Sequence, residues 1–197
     1  MADGMTSTWQ LTREQRQDST KDILNGLSSY RIDPFRIKSR DTGPRARGGQ
    51  GLVILATLVP AEGSATPASE QVVAVKQLEW DREDSDNSAR FFRSFAKEID
   101  LMASLSHPNI IKLIGFVENV YEGDARIILP WEGNGNVREF LQSGKWDIPE
   151  RISLIQDTAN GLEYLHSQKP PICHGDLKSL NILVNSSHHA GSGGTAL

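Results

Sequence analysis

Three polar side chains at fixed spacing, Asp176, Lys178 and Asn181, fall within the octet His174-Gly175-Asp176-Leu177-Lys178-Ser179-Leu180-Asn181. A carboxylate can accept the proton of an incoming hydroxyl, an ammonium two residues on can neutralise charge on a transferred anionic group, and an amide oxygen five residues on can ligate a divalent cation. That set suits phosphoryl transfer. The aliphatic run Ile182-Leu183-Val184 that follows predicts a buried strand to hold the loop rigid. The competing reading is a solvated turn, since histidine, aspartate and asparagine also occur together there. After Asp176 no acidic residue follows before Leu197.

A second pair of residues stands out upstream. Lys76 follows Val72-Val73-Ala74-Val75, which reads as a well-buried strand, and Glu98 interrupts the apolar stripe of a helix. An unpaired buried charge costs several kcal/mol, so each residue needs a counter-charge and each supplies the other's. The alternative is a lysine that reaches out to water at a strand end and a glutamate on a solvated helix flank. Ahead of them, Gly48-Gly49-Gln50-Gly51-Leu52-Val53 removes the steric barrier to close approach of phosphates to backbone amides.

These residues need elements to position them. Residues 12–27 give a possible short helix with a weak apolar edge at Ile23, Leu24 and Leu27, read as a polar lead-in over 1–31. Strands are expected over 52–59 and 71–78, joined by a long Pro/Ala/Ser/Gly tip. A helix follows with apolar residues at Phe91, Phe95, Met102 and Leu105, widened by Ile99 and Leu101, and His107-Pro108-Asn109 stops it. Stretches 110–117 and 126–131 read as antiparallel neighbours across a turn near Gly123. Asn136 and Glu139 have capping-box spacing for a short helix, and a longer helix over 149–166 carries Ile152, Ile155, Ala159, Leu162 and Leu165 on one face, which with Ile182 to Val184 is expected to lack part of its packing partners and expose an apolar patch. Residues 186–197 read as a disordered tail.

Composition narrows the rest. With 38% hydrophobic and 23% charged residues over 197 positions, the chain is ordinary for a globular protein. Its net charge of −4 offers no basic excess for nucleic acid or anionic lipid, and no apolar run approaches 18 residues, so neither nucleic acid nor membrane is expected as a partner. The single cysteine, Cys173, fits a reducing, cytoplasmic compartment and is expected as a buried structural thiol. His188-His189 lacks acidic or cysteine companions and is not read as a metal site. His107 and His166 are expected to satisfy helix-terminal carbonyls.

Taken in order, these motifs resemble the front portion of a eukaryotic protein kinase, from the glycine loop to the catalytic loop, over about residues 42–185. Val73-Ala74-Val75-Lys76 matches the family's strand-lysine motif, Glu98 its helix partner, and residues 174–181 its catalytic loop. The connecting text Ser106-His107-Pro108-Asn109-Ile110-Ile111-Lys112-Leu113 and Gly161-Leu162-Glu163-Tyr164-Leu165-His166 is similar to the tyrosine-kinase-like branch, fungal type, and Lys178 is typical of serine/threonine kinases.

The resemblance implies an α+β fold: a small antiparallel-sheet lobe with one main helix over 32–129, then a hinge and partial helical C-lobe over 130–185. It implies ATP and magnesium as cofactors and a protein substrate or regulatory protein as partner. Asp176 would be the catalytic base, Lys178 the phosphate-charge stabiliser and Asn181 a magnesium ligand, with Lys76 on the α/β-phosphates oriented by Glu98. Gly48, Gly51, Val53 and Ala74 would contribute to the nucleotide site. Leu129 would back the adenine pocket, and Pro130 to Glu132 would form the hinge. The chain departs from the pattern at Ala46, which replaces the first loop glycine, at Arg45, at Gln50, and at Gly175, which replaces the arginine that reads a phosphorylated activation loop, making it non-RD. The family's Asp-Phe-Gly magnesium carboxylate, activation loop and later helices have no counterpart here, so a truncated and inactive form is expected. The rival expectation is a non-catalytic, pseudokinase-like binding module acting through Phe91, Phe95 and Met102.

Overall fold

The computed structural model describes residues 13–48, 51–61, 69–80, 85–119 and 123–193. Its framework is a five-stranded antiparallel sheet of spatial order β1-β2-β3-β5-β4, built from β1 (Ile37–Gly48), β2 (Gly51–Leu58), β3 (Gln71–Leu78), β4 (Gly115–Asn119) and β5 (Asp124–Pro130). Side chains alternate faces along a strand, so β3 sends Val73 and Val75 to one side and Ala74, Lys76 and Leu78 to the other. Val73 and Val75 are buried with Ile32, Ala56, Leu58, Val117 and Ile128. Leu78 joins Phe116, Ala125 and Ile127 beneath the helix α2 (Ser85–Ser104), which contributes Phe92, Phe95, Ala96, Ile99 and Met102. Lys76 therefore lies on the helix-covered face. The expected strands at 52–59 and 71–78 are present almost residue for residue, whereas in 110–117 only residues 115–117 are strand. The glycine tip at Gly49 and Gln50, and the centre of the long loop after β2, lie outside the described residues.

The leading segment is part of this lobe. Helix α1 (Arg13–Gly26) packs against α2, and Leu24 is buried in the α2 cluster with Ile23, Leu27 and Tyr30 against it. One well-placed leucine gives this polar helix a packing role; residues 1–12 of the polar lead-in expected over 1–31 lie outside the described residues.

Beyond β5 the chain forms α3 (Val137–Gln142), α4 (Ile148–Ser167) and a two-stranded ribbon, β6 (Ile182–Val184) with β7 (Ala190–Ser192). The capping box is complete: the Asn136 side chain accepts from the Glu139 N–H, and the Glu139 carboxylate accepts from the Asn136 N–H. The expected exposed patch is present on α4 but not on β6, whose Ile182 and Val184 are buried. Helix α4 buries Leu154, Gly161 and Leu165, while Ile152 and Ile155 are 54% and 68% exposed and Ile148 is 71% exposed. Leu154, Thr158, Gly161 and Leu165 share a face at helical spacing. The turn of the helix is set by Gly161, where a Cβ would come within 2.8 Å of the Asn109 carbonyl oxygen.

The tail expected to be disordered is ordered through Gly193. Ala190 and Ser192 are buried, and β7 is held by backbone bonds rather than by large side chains. The Ser192 N–H donates to Asn109 O (3.0 Å), Ile111 N–H donates to Ser192 O (3.0 Å), and Asn109 Nδ2 donates to Ala190 O (2.8 Å). From α4, the Asp157 carboxylate accepts from the Ala190 N–H (2.9 Å) and meets His189 Nδ1 (3.1 Å). Asn109→Ala would strand the buried Ala190 carbonyl, and the expected loss is about 1–3 kcal/mol, read as a lower urea midpoint at unchanged m-value.

Candidate active site

Two groups of side chains carry the chemistry read from the sequence. In the sheet lobe, Lys76 Nζ lies 3.3 Å from Glu98 Oε1, with the side chains 23% and 16% exposed. The pairing depends on β3 and α2 lying face to face, and the sheet register fixes where the lysine stands. Val53 pairs with Lys76 across β2–β3, while Leu129 pairs with Ala74 and Pro130 with Val73 across β3–β5. Val53, Ala74, Lys76 and Leu129 are thus neighbours in one patch of sheet. Gly48 pairs with Gly51 where β1 turns into β2. At Gly51, with φ +130°, a Cβ would come within 2.1 Å of the Gln77 carbonyl oxygen, so only glycine fits so close to β3. Glu132 lies two residues beyond the end of β5, and burial pushes its carboxyl above the usual range.

The second group is the loop before β6. Lys178 Nζ donates to Asp176 Oδ2 at 2.6 Å, and Asn181 Nδ2 donates to the same oxygen and to the Asp176 carbonyl, each at 2.9 Å. The Lys178 contact first, and Asn181 second, hold the Asp176 carboxyl below the ordinary aspartate range. Asp176 is therefore an ionised, solvent-facing acceptor at neutral pH. With its nitrogen committed to Asp176, Asn181 has its amide oxygen to offer a cation. A hard oxygen donor beside a carboxylate fits magnesium, which keeps several waters and takes few protein ligands. Among the described residues there is no group of three or more His, Cys, Asp or Glu able to hold a metal.

The support under this loop was not legible as such. The Asn181 carbonyl accepts from the Gly193 N–H (2.9 Å), and the Asn181 N–H donates to Lys178 O (2.8 Å), so the end of β7 clamps the loop. His174, 3% exposed, lies against a small cavity with Met102, Leu105, Ile110, Ile111, Leu165 and Ser192. Neither of its ring nitrogens has a hydrogen-bond partner, and desolvation lowers its pKa below the usual 6.5. It acts as an apolar prop. Asn109 and Asp157, which hold β7, gave no catalytic signal in the sequence; the only pointer was that Asn109 follows a helix-stopping His-Pro. Cys173 is exposed, contrary to expectation, because the extended segment after Pro170-Pro171 carries it along the surface. His107 Nδ1 accepts from the Asn109 N–H (3.1 Å) and its ring stacks on Tyr164, so it organises a turn rather than capping carbonyls.

Comparison with known proteins gives the family. The family model for protein tyrosine and serine/threonine kinases matches residues 46–191. The chain belongs to the protein kinase family. A putative leucine-rich repeat receptor-like serine/threonine-protein kinase of Arabidopsis thaliana is 40% identical over 94% of this chain and 20% of its own length. A probable serine/threonine-protein kinase of Dictyostelium discoideum is 34% identical over 83% of this chain and 7% of its own. Another Arabidopsis thaliana probable serine/threonine-protein kinase is 40% identical over 61% of this chain and 28% of its own. This kinase domain thus spans well under a third of each of these curated relatives. ATP and magnesium use follow from the family, as does the α+β fold of sheet lobe and helices. No helix among the described residues is long and apolar enough to cross a membrane.

Two titrations test the kinase loop. Asp176 should titrate below a free aspartate in carboxyl-carbon NMR, and Lys178→Met should move it upward, because the first-ranked contact that favours the ionised form is lost. His174 is shifted in the same direction, here by desolvation, and a folded-state pKa below the unfolded value means the unfolded chain binds the proton first. Stability is full above about pH 6.5 and falls as pH drops from there towards the folded pKa. In His174→Leu, urea midpoints at pH 7.5 and 5.5 should lie closer together than in the unsubstituted protein.

Proposed function

We propose that the sheet lobe and the catalytic loop together bind ATP with magnesium and serve phosphoryl transfer to serine or threonine hydroxyls of a protein. The observation that carries this reading is the Asp176 carboxylate, ionised and contacted by both Lys178 and Asn181. In this role Asp176 accepts the hydroxyl proton as the oxygen attacks, Lys178 offsets charge on the group in transit, and Asn181 offers its amide oxygen to the metal. Magnesium, when bound, neutralises phosphate charge. Lys76, held by Glu98, takes the α/β-phosphates; Gly48 and Gly51 let backbone approach them; Val53, Ala74 and Leu129 flank adenine; and backbone groups from Pro130 to Glu132 hold its edge. The Pro130 carbonyl serves there, since proline has no N–H to give.

The 197 residues hold no carboxylate after Asp176. We assign these residues by themselves weak or no transfer, at least roughly a thousandfold below a site in which a second carboxylate holds the metal. Gly175 in place of arginine further implies control without an activation-loop phosphate reader. Placement in the tyrosine-kinase-like branch, fungal type, rests on the text around Ser106 and Gly161, and the cytoplasmic assignment rests on the lone cysteine.

A regulatory, non-catalytic role is the second reading, favoured by the exposed Ile148, Ile152 and Ile155. The surface first assigned to it is not available, because Phe95 and Met102 are buried and Phe91 packs on the same core. Calorimetry with MgATP should show binding that Lys76→Met weakens at least about tenfold, one lost charge-assisted contact. Radiolabel transfer to itself or to a generic protein should be at background; a signal abolished by Asp176→Asn would establish an active enzyme instead.

A further inference from the structure

We infer that helix α1 and the arginine that follows it set the position of Glu98, so that Leu24 and Arg31 are positioning residues for the Lys76–Glu98 pair and hence for the phosphate end of a nucleotide. The inference rests on the nucleotide reading above. Nothing in the octet or the strand-lysine motif requires residues before the glycine loop, yet the structure spends two buried or partly buried contacts on joining them to α2.

Helix α2 carries its apolar stripe through Phe95, Ile99 and Met102. At about 100° per residue, Glu98 lies on one flank of that stripe, and Phe92, Ala96 and Ala103 lie on the other. The Glu98 flank is held by Lys76. The opposite flank belongs to the cluster that Leu24 completes, with Ile23 and Leu27 packed against it. A roll of α2 that withdrew Glu98 from the lysine would have to break into this packing. Core packing is discrete rather than continuously deformable, so removing Leu24 frees the roll.

Arg31 fixes α1 to the sheet on which Lys76 stands. Its Nη1 meets Glu118 Oε2 at 2.8 Å, its Nη2 reaches the carbonyl of Leu24 at 3.4 Å, and its guanidinium sits 5.5 Å from the centroid of the Phe116 ring. The next N–H, of Ile32, donates to the Phe116 carbonyl at 2.8 Å, so the segment runs alongside β4. The approach is close enough that a Cβ on Gly115 would come within 2.4 Å of the Tyr30 carbonyl oxygen. Phe116 in turn meets Phe95 edge to face, with centroids 6.1 Å apart, and Phe95 stands one helical turn before Glu98. Arg31, Phe116, Phe95 and Glu98 form one continuous path from the leading segment to the ion pair.

The experiment compares ATP with adenosine, which lacks every phosphate, by calorimetry on the full chain well below its unfolding temperature. The unsubstituted protein should prefer ATP, and Lys76→Met should abolish the preference. Leu24→Ala and Arg31→Ala should each weaken ATP about fivefold and leave adenosine unchanged, whereas Leu24→Met should retain ATP affinity. Combining Arg31→Ala with Glu98→Gln should add nothing to Glu98→Gln alone, because both act through one contact. Arg31→Ala, at a partly exposed site, reads the inference even if Leu24→Ala fails to fold. An ATP preference that survives Arg31→Ala while Lys76→Met removes it overturns the inference and leaves the nucleotide reading standing, as does an equal loss for ATP and adenosine. No preference for ATP in the unsubstituted protein overturns both.

Discussion

The contact between Lys76 of the sheet and Glu98 of α2 ties together two layers whose shared core is apolar. Hydrophobic burial is non-directional: Phe92, Phe95, Ile99 and Met102 could seat against the sheet in more than one rotation. A charge pair with little exposure cannot, because the ammonium and the carboxylate each lose far more when misaligned than a methyl group does. The pair therefore selects one seating from several of similar apolar area. The rest of the lobe is consistent with that seating, from the β2–β3 register that sets Val53 beside Lys76 to the alternation that puts Leu78 on the same face.

The second centre is organised differently. The catalytic loop carries its polar groups in the open, and its rigidity comes from below, where a buried histidine whose ring makes no hydrogen bond and the small-residue strand β7 fill the floor. The polar satisfaction of that floor comes almost wholly from backbone groups and from Asn109 and Asp157. Here the division of labour is clear: the sequence octet supplies the reactive groups, and residues far from it in the chain supply their fixed positions.

Much of this was legible beforehand, and the misses share a cause. The strand-lysine with its glutamate partner and the capping box announce themselves through side-chain types and form as read, and the polar members of the octet lie in mutual contact. The open apolar face of α4 was legible but its buried face was not: the stripe containing Thr158 and Gly161 looks poorer, yet only a glycine there admits the Asn109 carbonyl. Strand β7 was read as disorder because alanine, glycine and serine carry no hydrophobic signal, and its order comes from main-chain bonds that no composition reveals. Helix α1 was undervalued because a single leucine, rather than a stripe, does its packing. In each case the deciding partner was a backbone group or a lone contact from a distant segment.

The clamp on Asn181 by Gly193, and the grip of Asn109 on Ala190 across 81 positions, also fix an order of events during synthesis. A ribosome delivers the octet before it delivers β7, so the nascent loop has its reactive groups but not yet its floor. Contacts of such long range form late in folding because the intervening chain must be closed first. Asp176 and Asn181 thus reach their final geometry only after the chain's last described strand has emerged and docked.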